Sequence, residues 1–99
     1  MGTKKYGSEE VIIGTKFNEL RVVLSLSYEE AAKQMLLEKE EIEKLSGQED
    51  SEISVKVLYA LYFFANAILE NVYKDVHTHY RANELKKAFT DEFKRRIEA

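Results

Sequence analysis

The sequence has no cysteine, no proline and only four glycines, at positions 2, 7, 14 and 47. Without cysteine, the chain can form neither disulfide bonds nor thiolate metal sites. Proline and glycine are the residues that most often interrupt helices, and the composition is otherwise rich in helix formers such as glutamate, lysine, leucine and alanine. We therefore expect a single all-α domain from these 99 residues.

Long apolar runs are also scarce. The first 14 residues lack the apolar run of a signal peptide, and the most apolar segment, residues 57–69, is too short to span a bilayer. We therefore expect a cytoplasmic protein that does not enter a membrane.

The usual signatures of catalysis and cofactor binding are missing as well. The sequence has no glycine-rich phosphate loop and no recognisable set of histidine, carboxylate and nucleophile. His77 and His79 lie two positions apart, so on a helix they would point to different faces, and we expect them at the surface or at a helix end. We expect no enzyme, no bound metal, no cofactor and no small-molecule ligand.

Three short helices are predicted in the first half of the chain. The first covers about residues 16–26, with Thr15 as its cap and with Ile13, Phe17, Leu20 and Leu24 on one face. The second begins at Ser27, where Ser27-Tyr28-Glu29-Glu30 fits the S-x-x-E capping box. The third covers about residues 39–46, and Gly47 stands where a glycine commonly ends a helix.

The second half of the chain is helical in pattern from Ser54 onward. Residues 55–69 are apolar on nearly all sides, so this helix must be covered all round. The pattern permits breaks near residues 65–66 and 77–83, with Asn83 as a cap for the last helix. We expect about five helices, arranged as a flexible N-terminal arm (1–12), a helical domain (13–76) and a C-terminal amphipathic helix (77–99).

Residues 17–68 resemble the Cro/repressor type, or XRE-like, helix-turn-helix family. The resemblance rests on FNELR at the end of the first helix, SYEEAA at the start of the second, Ile42 and Leu45 in the third, Gly47 after it, and SVKVLYALYFF in the closing helix. It implies that residues 13–76 form a helix-turn-helix domain and that the third helix lies in the major groove of DNA. It also implies a set of DNA contacts: Ser27, Tyr28, Lys39, Glu40, Glu43 and Lys44.

The chain departs from the family pattern in three places. Leu36 occupies the position at which the turn usually has a left-handed glycine, so the turn is expected to differ. Ser46 occupies the position of a glutamate that often pairs with the arginine of the first helix, here Arg21. The third departure is charge, because residues 38–44 contain four glutamates against two lysines. Acids facing DNA phosphates should oppose binding.

This acidic helix has three readings. It is a solvated surface with ion pairs such as Glu40–Lys44, a DNA-contacting face, or a face that docks on a protein. Residues 28–52 carry nine acids and three bases, whereas residues 81–99 carry six bases and four acids, so the two ends of the chain can attract each other within or between molecules.

The apolar residues of the second half can form the core of one chain, a dimer interface or a ligand pocket lined by Tyr59, Tyr62, Phe63 and Phe64. A 99-residue chain has few elements with which to cover them. The candidates for a homodimer interface are Phe63, Phe64, Leu85, Phe89, Phe93 and Ile97.

Two functions follow from this reading. The first is a helix-turn-helix transcriptional regulator that binds DNA as a dimer. The alternative is a protein-interaction module on the same scaffold, such as a repressor modulator, an antitoxin-like protein or an inhibitor, which does not bind DNA.

Overall fold

The structure is a computed structural model that describes residues 10–71 and 74–98, and this part of the chain is all-helical. Five α-helices and one short 3-10 helix follow one another along the chain: α1 (Ile13–Val23), α2 (Tyr28–Met35), α3 (Lys39–Leu45), the 3-10 helix (Asp50–Glu52), α4 (Val55–Leu69) and α5 (Val76–Glu98). The predicted small all-α bundle is therefore confirmed. No helix in these two ranges is both long and apolar enough to cross a membrane.

One core holds the helices together. The predicted α1 stripe is largely correct, because Ile13, Phe17 and Leu20 are buried and Leu24 is half-buried. Phe17 contacts Phe64 of α4, with their ring centroids 5.9 Å apart. Helix α5 packs against both α1 and α4, so the last helix folds back on the domain. The core residues of α4 and α5 are Val57, Leu58, Leu61, Phe64, Ala65, Ile68, Ala82, Leu85, Ala88 and Phe89.

Local side chains cap α2, as the sequence predicts, and also α4. The Glu30 amide donates to Ser27 Oγ at 3.0 Å, and the Ser27 amide donates to Glu30 Oε1 at 2.9 Å, which completes the capping box. The Val57 amide donates to Ser54 Oγ at 3.2 Å and so caps α4. These caps satisfy amides that have no partner within their own helix.

The start of α1 differs from the prediction. Helix α1 begins at Ile13 rather than Lys16, and Thr15 is inside the helix, where its hydroxyl donates to the Val11 carbonyl at 2.6 Å. The cap comes instead from Asp50, whose Oδ1 accepts from the amides of Ile12 and Ile13, both at 2.9 Å. Of the predicted arm, residues 1–9 lie outside the described residues.

The permitted breaks in the second half do not occur. Helix α4 runs through residues 65–66, and α5 is continuous from Val76, so Asn83 lies in a helix interior instead of capping one. The cap of α5 is Asp75, whose Oδ1 accepts from the Thr78 amide at 2.8 Å. The hydrogen bond that this carboxylate accepts from the Thr78 backbone amide holds the pKa of Asp75 below its ordinary value.

Candidate functional site

Helices α2 and α3 form a compact two-helix unit joined by residues 36–38. Ala31, Ala32 and Met35 of α2 and Ile42 and Leu45 of α3 are buried, so the unit is anchored in the core by its inner face. The outer face of the unit carries mostly charged residues. This unit contains the positions that the family resemblance marks for DNA contact.

The turn after α2 is left-handed at Leu36, with φ 57° and ψ 40°. The Leu37 amide donates to the Ala32 carbonyl at 2.9 Å and the Leu36 amide donates to the Lys33 carbonyl at 3.3 Å, which is the hydrogen-bond pattern of a Schellman turn. The expectation that Leu36 would change the turn is therefore wrong. The backbone adopts the left-handed conformation that glycine usually adopts at this position. The leucine side chain is 89% exposed, so it has few contacts with the rest of the protein.

The turn between α1 and α2 follows the same pattern. Ser25 has φ 58°, and the Leu26 amide donates to the Arg21 carbonyl at 3.0 Å. Arg21 stabilises this junction, because its Nη1 donates to the Leu26 carbonyl at 2.6 Å and its guanidinium lies 4.3 Å from the centre of the Tyr28 ring. Arg21 thus has local partners and does not depend on a glutamate at the position of Ser46.

The six DNA-contact candidates fall into two groups. Lys39, Glu40, Glu43 and Lys44 are exposed on α3. Ser27 and Tyr28 lie at the start of α2, where the Ser27 amide and hydroxyl are both used by the capping box and the Tyr28 ring is half-buried beside Arg21. A phosphate at this helix end would have to compete with Glu30 for the Ser27 amide.

Ion pairs engage part of the charge on the outer face. Lys39 Nζ lies 3.8 Å from Glu29 Oε2 and 3.7 Å from Glu43 Oε2, and Lys56 Nζ of α4 lies 3.2 Å from Glu41 Oε2. Bonds from the backbone amides of Ser27 and Glu38 lower the pKa values of Glu30 and Glu41, so both are ionised at neutral pH. Residues 28–46 contain six acids and three lysines, so the unit carries a net charge of −3.

The candidates for a dimer interface are divided between core and surface. Phe64, Leu85 and Phe89 are buried in the core of their own chain, Phe93 is half-buried, and Phe63 and Ile97 are 66% and 81% exposed. A partner chain can therefore reach only Phe63, Phe93 and Ile97 without rearrangement of the core. Two of these three, Phe93 and Ile97, line a groove between α4 and α5.

We call this groove the aromatic groove. It has a volume of about 380 Å³ and is lined chiefly by Tyr59, Tyr62, Phe93 and Ile97, with Thr90 and Lys94 at its edge and Phe89 at its base. The rings contact one another in series, with centroid distances of 5.5 Å for Tyr59–Phe93 and 5.4 Å for Tyr62–Phe89. Of the four aromatic residues that the sequence offered as a pocket lining, Tyr59 and Tyr62 line this groove, and Phe63 and Phe64 do not.

A buried charged cluster joins the end of α5 to the start of α1. Asp50 and Glu92 are 1% and 2% exposed. Glu92 is held by Arg95 and Arg96, both with nitrogen–oxygen distances of 2.8 Å. Arg96 Nη2 also donates to the carbonyls of Asp50 and Ile53, at 3.0 and 2.7 Å.

Burial raises the pKa of Asp50, although the two amides of α1 work in the opposite direction. In the part of the chain that the structure describes, every buried side-chain nitrogen and oxygen atom has a hydrogen-bond partner, which is consistent with a cluster that serves as a structural tether. The charge distribution predicts attraction between residues 28–52 and 81–99, and Arg95 Nη2 does lie 3.9 Å from Asp50 Oδ2, but the sequence did not indicate a buried cluster. The spacing of Glu92, Arg95 and Arg96 indicates local pairing on a helix but does not identify Asp50 as a neighbour.

The two histidines lie at the start of α5, as expected for helix-end residues. His77 is exposed, and His79 Nε2 lies 2.8 Å from the Asn71 carbonyl.

Comparison with protein-family models, curated proteins and solved structures finds no match for this chain.

Proposed function

We propose that this protein is a helix-turn-helix transcriptional regulator that contacts DNA through α3. The observation that carries the proposal is the α2–α3 unit, in which a three-residue connection with a left-handed residue at Leu36 joins two short helices. The left-handed backbone at a leucine supports this reading, because a chain adopts that conformation at a bulky residue only when the surrounding packing requires it.

The charges of α3 affect the affinity with which this helix binds DNA. Lys39 and Lys44 are the two bases of the helix, and Lys39 lies between two glutamates. Phosphates would have to draw Lys39 away from those glutamates while Glu40 and Glu43 stay near the groove. We therefore propose weak non-specific binding and a strong dependence on the operator, with a glutamate accepting from a cytosine amino group.

DNA selection from a random library, followed by binding titrations over a range of salt concentrations, tests this proposal. Reversing the charge of Lys39 and Lys44 (K39E, K44E) should abolish binding to the selected duplex, and Lys87→Glu, on the exposed side of α5, is the matched control. If no sequence is enriched, or if affinity does not fall with salt, the proposal is wrong.

Neutralising Glu40 and Glu43 distinguishes their repulsion of DNA phosphates from the recognition of a base by either of them. In Glu40→Gln and Glu43→Gln, the affinity for non-specific DNA should rise, because one negative charge near the phosphates is removed. If one of these glutamates reads a cytosine, the same change should lower the affinity for the selected operator by about tenfold, which corresponds to one lost base contact.

A homodimer remains a prediction within this proposal. A unit with so few bases gains affinity when two copies bind adjacent half-sites. Sedimentation equilibrium with and without the selected duplex measures whether one or two chains bind, and a palindromic or repeated operator in the selection would agree with two.

The alternative is a protein-docking module, and the ion pairs of Lys39 favour it. Lys39 is already held by Glu29 and Glu43, and residues 28–46 as a whole carry a net charge of −3. Under this alternative, the chain should bind no duplex and should capture a basic protein from its host. Reversal of Glu40 and Glu43 should then break that complex, whereas reversal of Lys39 and Lys44 should not.

A further inference from the structure

The aromatic groove between α4 and α5 is an apolar surface that nothing in the proposed function uses. None of its lining residues belongs to α2 or α3. Its outer members are well exposed, with Tyr59 at 51% and Ile97 at 81%. Apolar side chains that line one continuous concave surface mark a binding site more often than the same number of residues scattered singly.

Two lysines lie at the groove, and Glu98 follows Lys94 at a four-residue spacing. Lys94 lines the groove, and Lys86 Nζ lies 5.9 Å from the centre of the Tyr62 ring. Lys86, Thr90 and Lys94 follow one another at four-residue spacing along α5, so they form one edge of the groove. No residue that lines the groove is acidic.

The shape of the groove suits a helix. The α5 residues that line the groove run from Phe89 to Ile97, over which the helix rises about 12 Å, a little more than two helical turns. The anchors of an amphipathic helix at positions i, i+4 and i+7 span about 10 Å, which matches that length.

We propose that the aromatic groove binds an acidic amphipathic helix from a partner protein, with apolar anchors against Tyr59, Phe93 and Ile97 and with carboxylates beside Lys86 and Lys94. A second copy of this chain fits less well. A symmetric contact centred on the groove would bring the lysine edges of two copies close together, and like charges across an interface oppose association.

A pair of synthetic helical peptides tests the proposal. Both carry leucine and phenylalanine at positions i, i+4, i+7 and i+11, and they differ only in glutamate or lysine at the flanking positions. The acidic peptide should bind, its affinity should fall as salt is raised, and amide shifts in NMR spectra of the full chain should map to α4 and α5. The basic peptide should bind at least about tenfold more weakly.

Two variants and their controls locate the site. Ile97→Ser and Lys94→Glu should each weaken binding of the acidic peptide by about tenfold, the usual loss when a well-placed anchor is removed. Both residues are exposed, so the fold should be retained. The controls are Val76→Ser, which also replaces an exposed aliphatic residue with serine, and Lys74→Glu, which also reverses an exposed charge. Both positions are near the start of α5, so both variants should bind the acidic peptide with unchanged affinity.

Four results would overturn the proposal. They are absence of binding by the acidic peptide, equal binding of both peptides, shifts that map outside α4 and α5, and self-association of the chain that Ile97→Ser abolishes. The last result would assign the groove to a second copy. Because Lys39 and Lys44 are outside the groove, their variants should bind the acidic peptide normally even if they lose DNA binding.

Discussion

Leu36 is one of two non-glycine residues in the described part of the chain with a positive φ, the other being Ser25. A left-handed conformation places Cβ too close to the following carbonyl, and only glycine escapes this cost. The leucine side chain contributes little in return, because it is almost fully exposed. The turn is therefore held by the packing of α2 and α3 and not by the preference of the residue within it.

We predict that Leu36→Gly increases the free energy of unfolding by about 0.5–1 kcal/mol, since relief of the left-handed strain exceeds the added flexibility of glycine in the unfolded chain. Urea denaturation measures the change. The control is Ser46→Gly, at an exposed position with φ −64°, where glycine should only destabilise. Equal losses in both variants would contradict the prediction.

Gly14 brings the start of α1 against the end of α3. A Cβ built on Gly14 would overlap the carbonyl oxygen of Leu45, which is a backbone atom and cannot rotate away. We predict that Gly14→Ala lowers the free energy of unfolding by about 3 kcal/mol, because α1 and α3 must separate to admit the methyl group.

Gly47 is the matched control for this change. A Cβ there would meet no atom within 4 Å, and its backbone is not left-handed, so Gly47→Ala should change stability by less than about 0.5 kcal/mol. Thermal melts of both variants, followed by circular dichroism, give the comparison. A Gly14→Ala protein as stable as Gly47→Ala would show that the two helices are not in such close contact.

At the scale of whole helices, the start of a helix could be predicted only where its capping residue is close to it in the sequence. The start of α2 could be read from Ser27 and Glu30 because the capping box is complete within four residues. The start of α1 could not, because its cap, Asp50, lies 37 residues beyond Ile13 and is brought there only by folding. The apolar stripes of α1 and α4 were readable, whereas the aromatic groove depends on how two helices meet.

Asp50 holds the first turn of α1, and two substitutions separate its hydrogen bonds from its charge. Asp50→Ala leaves the amides of Ile12 and Ile13 without an acceptor, so we predict a loss of about 3 kcal/mol. Asp50→Asn keeps an oxygen in place of Oδ1 and should cost about 1 kcal/mol or less. Chemical denaturation at neutral pH measures both. Equal losses would mean that the negative charge, and not the acceptor, is what α1 requires.

Acidic pH should destabilise the protein through the helix caps. The pKa values of Glu30, Glu41 and Asp75 are lowered by backbone amides, so their stabilisation is complete above their ordinary values of 4.5 and 3.8 and is lost as pH falls through the lowered ones. Asp50 acts in reverse. Its raised pKa makes its contribution present at acidic pH and lost as pH rises through that pKa.

We therefore predict that wild-type stability falls as pH is lowered below about 4.5, and that it falls further in Asp50→Asn, which lacks the opposing contribution. Denaturation midpoints measured from neutral to acidic pH in both proteins give the two slopes. A smaller loss in Asp50→Asn than in wild type would show that Asp50 does not ionise with a raised pKa.

For the molecule as a whole, α5 determines whether there is a domain at all. Sequence alone left open whether the last helix folds back or extends to a second chain, because an amphipathic stripe looks the same in both cases. In the structure, Leu85 and Phe89 are buried between α1 and α4, and Arg96 bonds to the carbonyls that precede α4. The N-terminal helices are thus completed by the C-terminal one.

We predict that a chain ending at Asn83 does not fold, because it lacks Leu85, Ala88 and Phe89 of the core together with Glu92 and Arg96 of the tether. Removing one buried leucine or phenylalanine side chain costs about 2–5 kcal/mol, so the loss of Leu85 and Phe89 alone is comparable with the roughly 5–15 kcal/mol by which domains are stable. Circular dichroism and thermal melting should show loss of helix and of a cooperative transition.

The matched control for the truncation is Ile97→Ser in the full chain, which changes an exposed apolar residue of the same helix and should melt as wild type does. A chain ending at Asn83 that melted cooperatively would show that residues 13–76 form an independent domain. The fold would then not depend on the rest of α5, which could act as a separate oligomerisation element in the full chain. The truncated chain would keep its fold but lose the α5 wall of the aromatic groove.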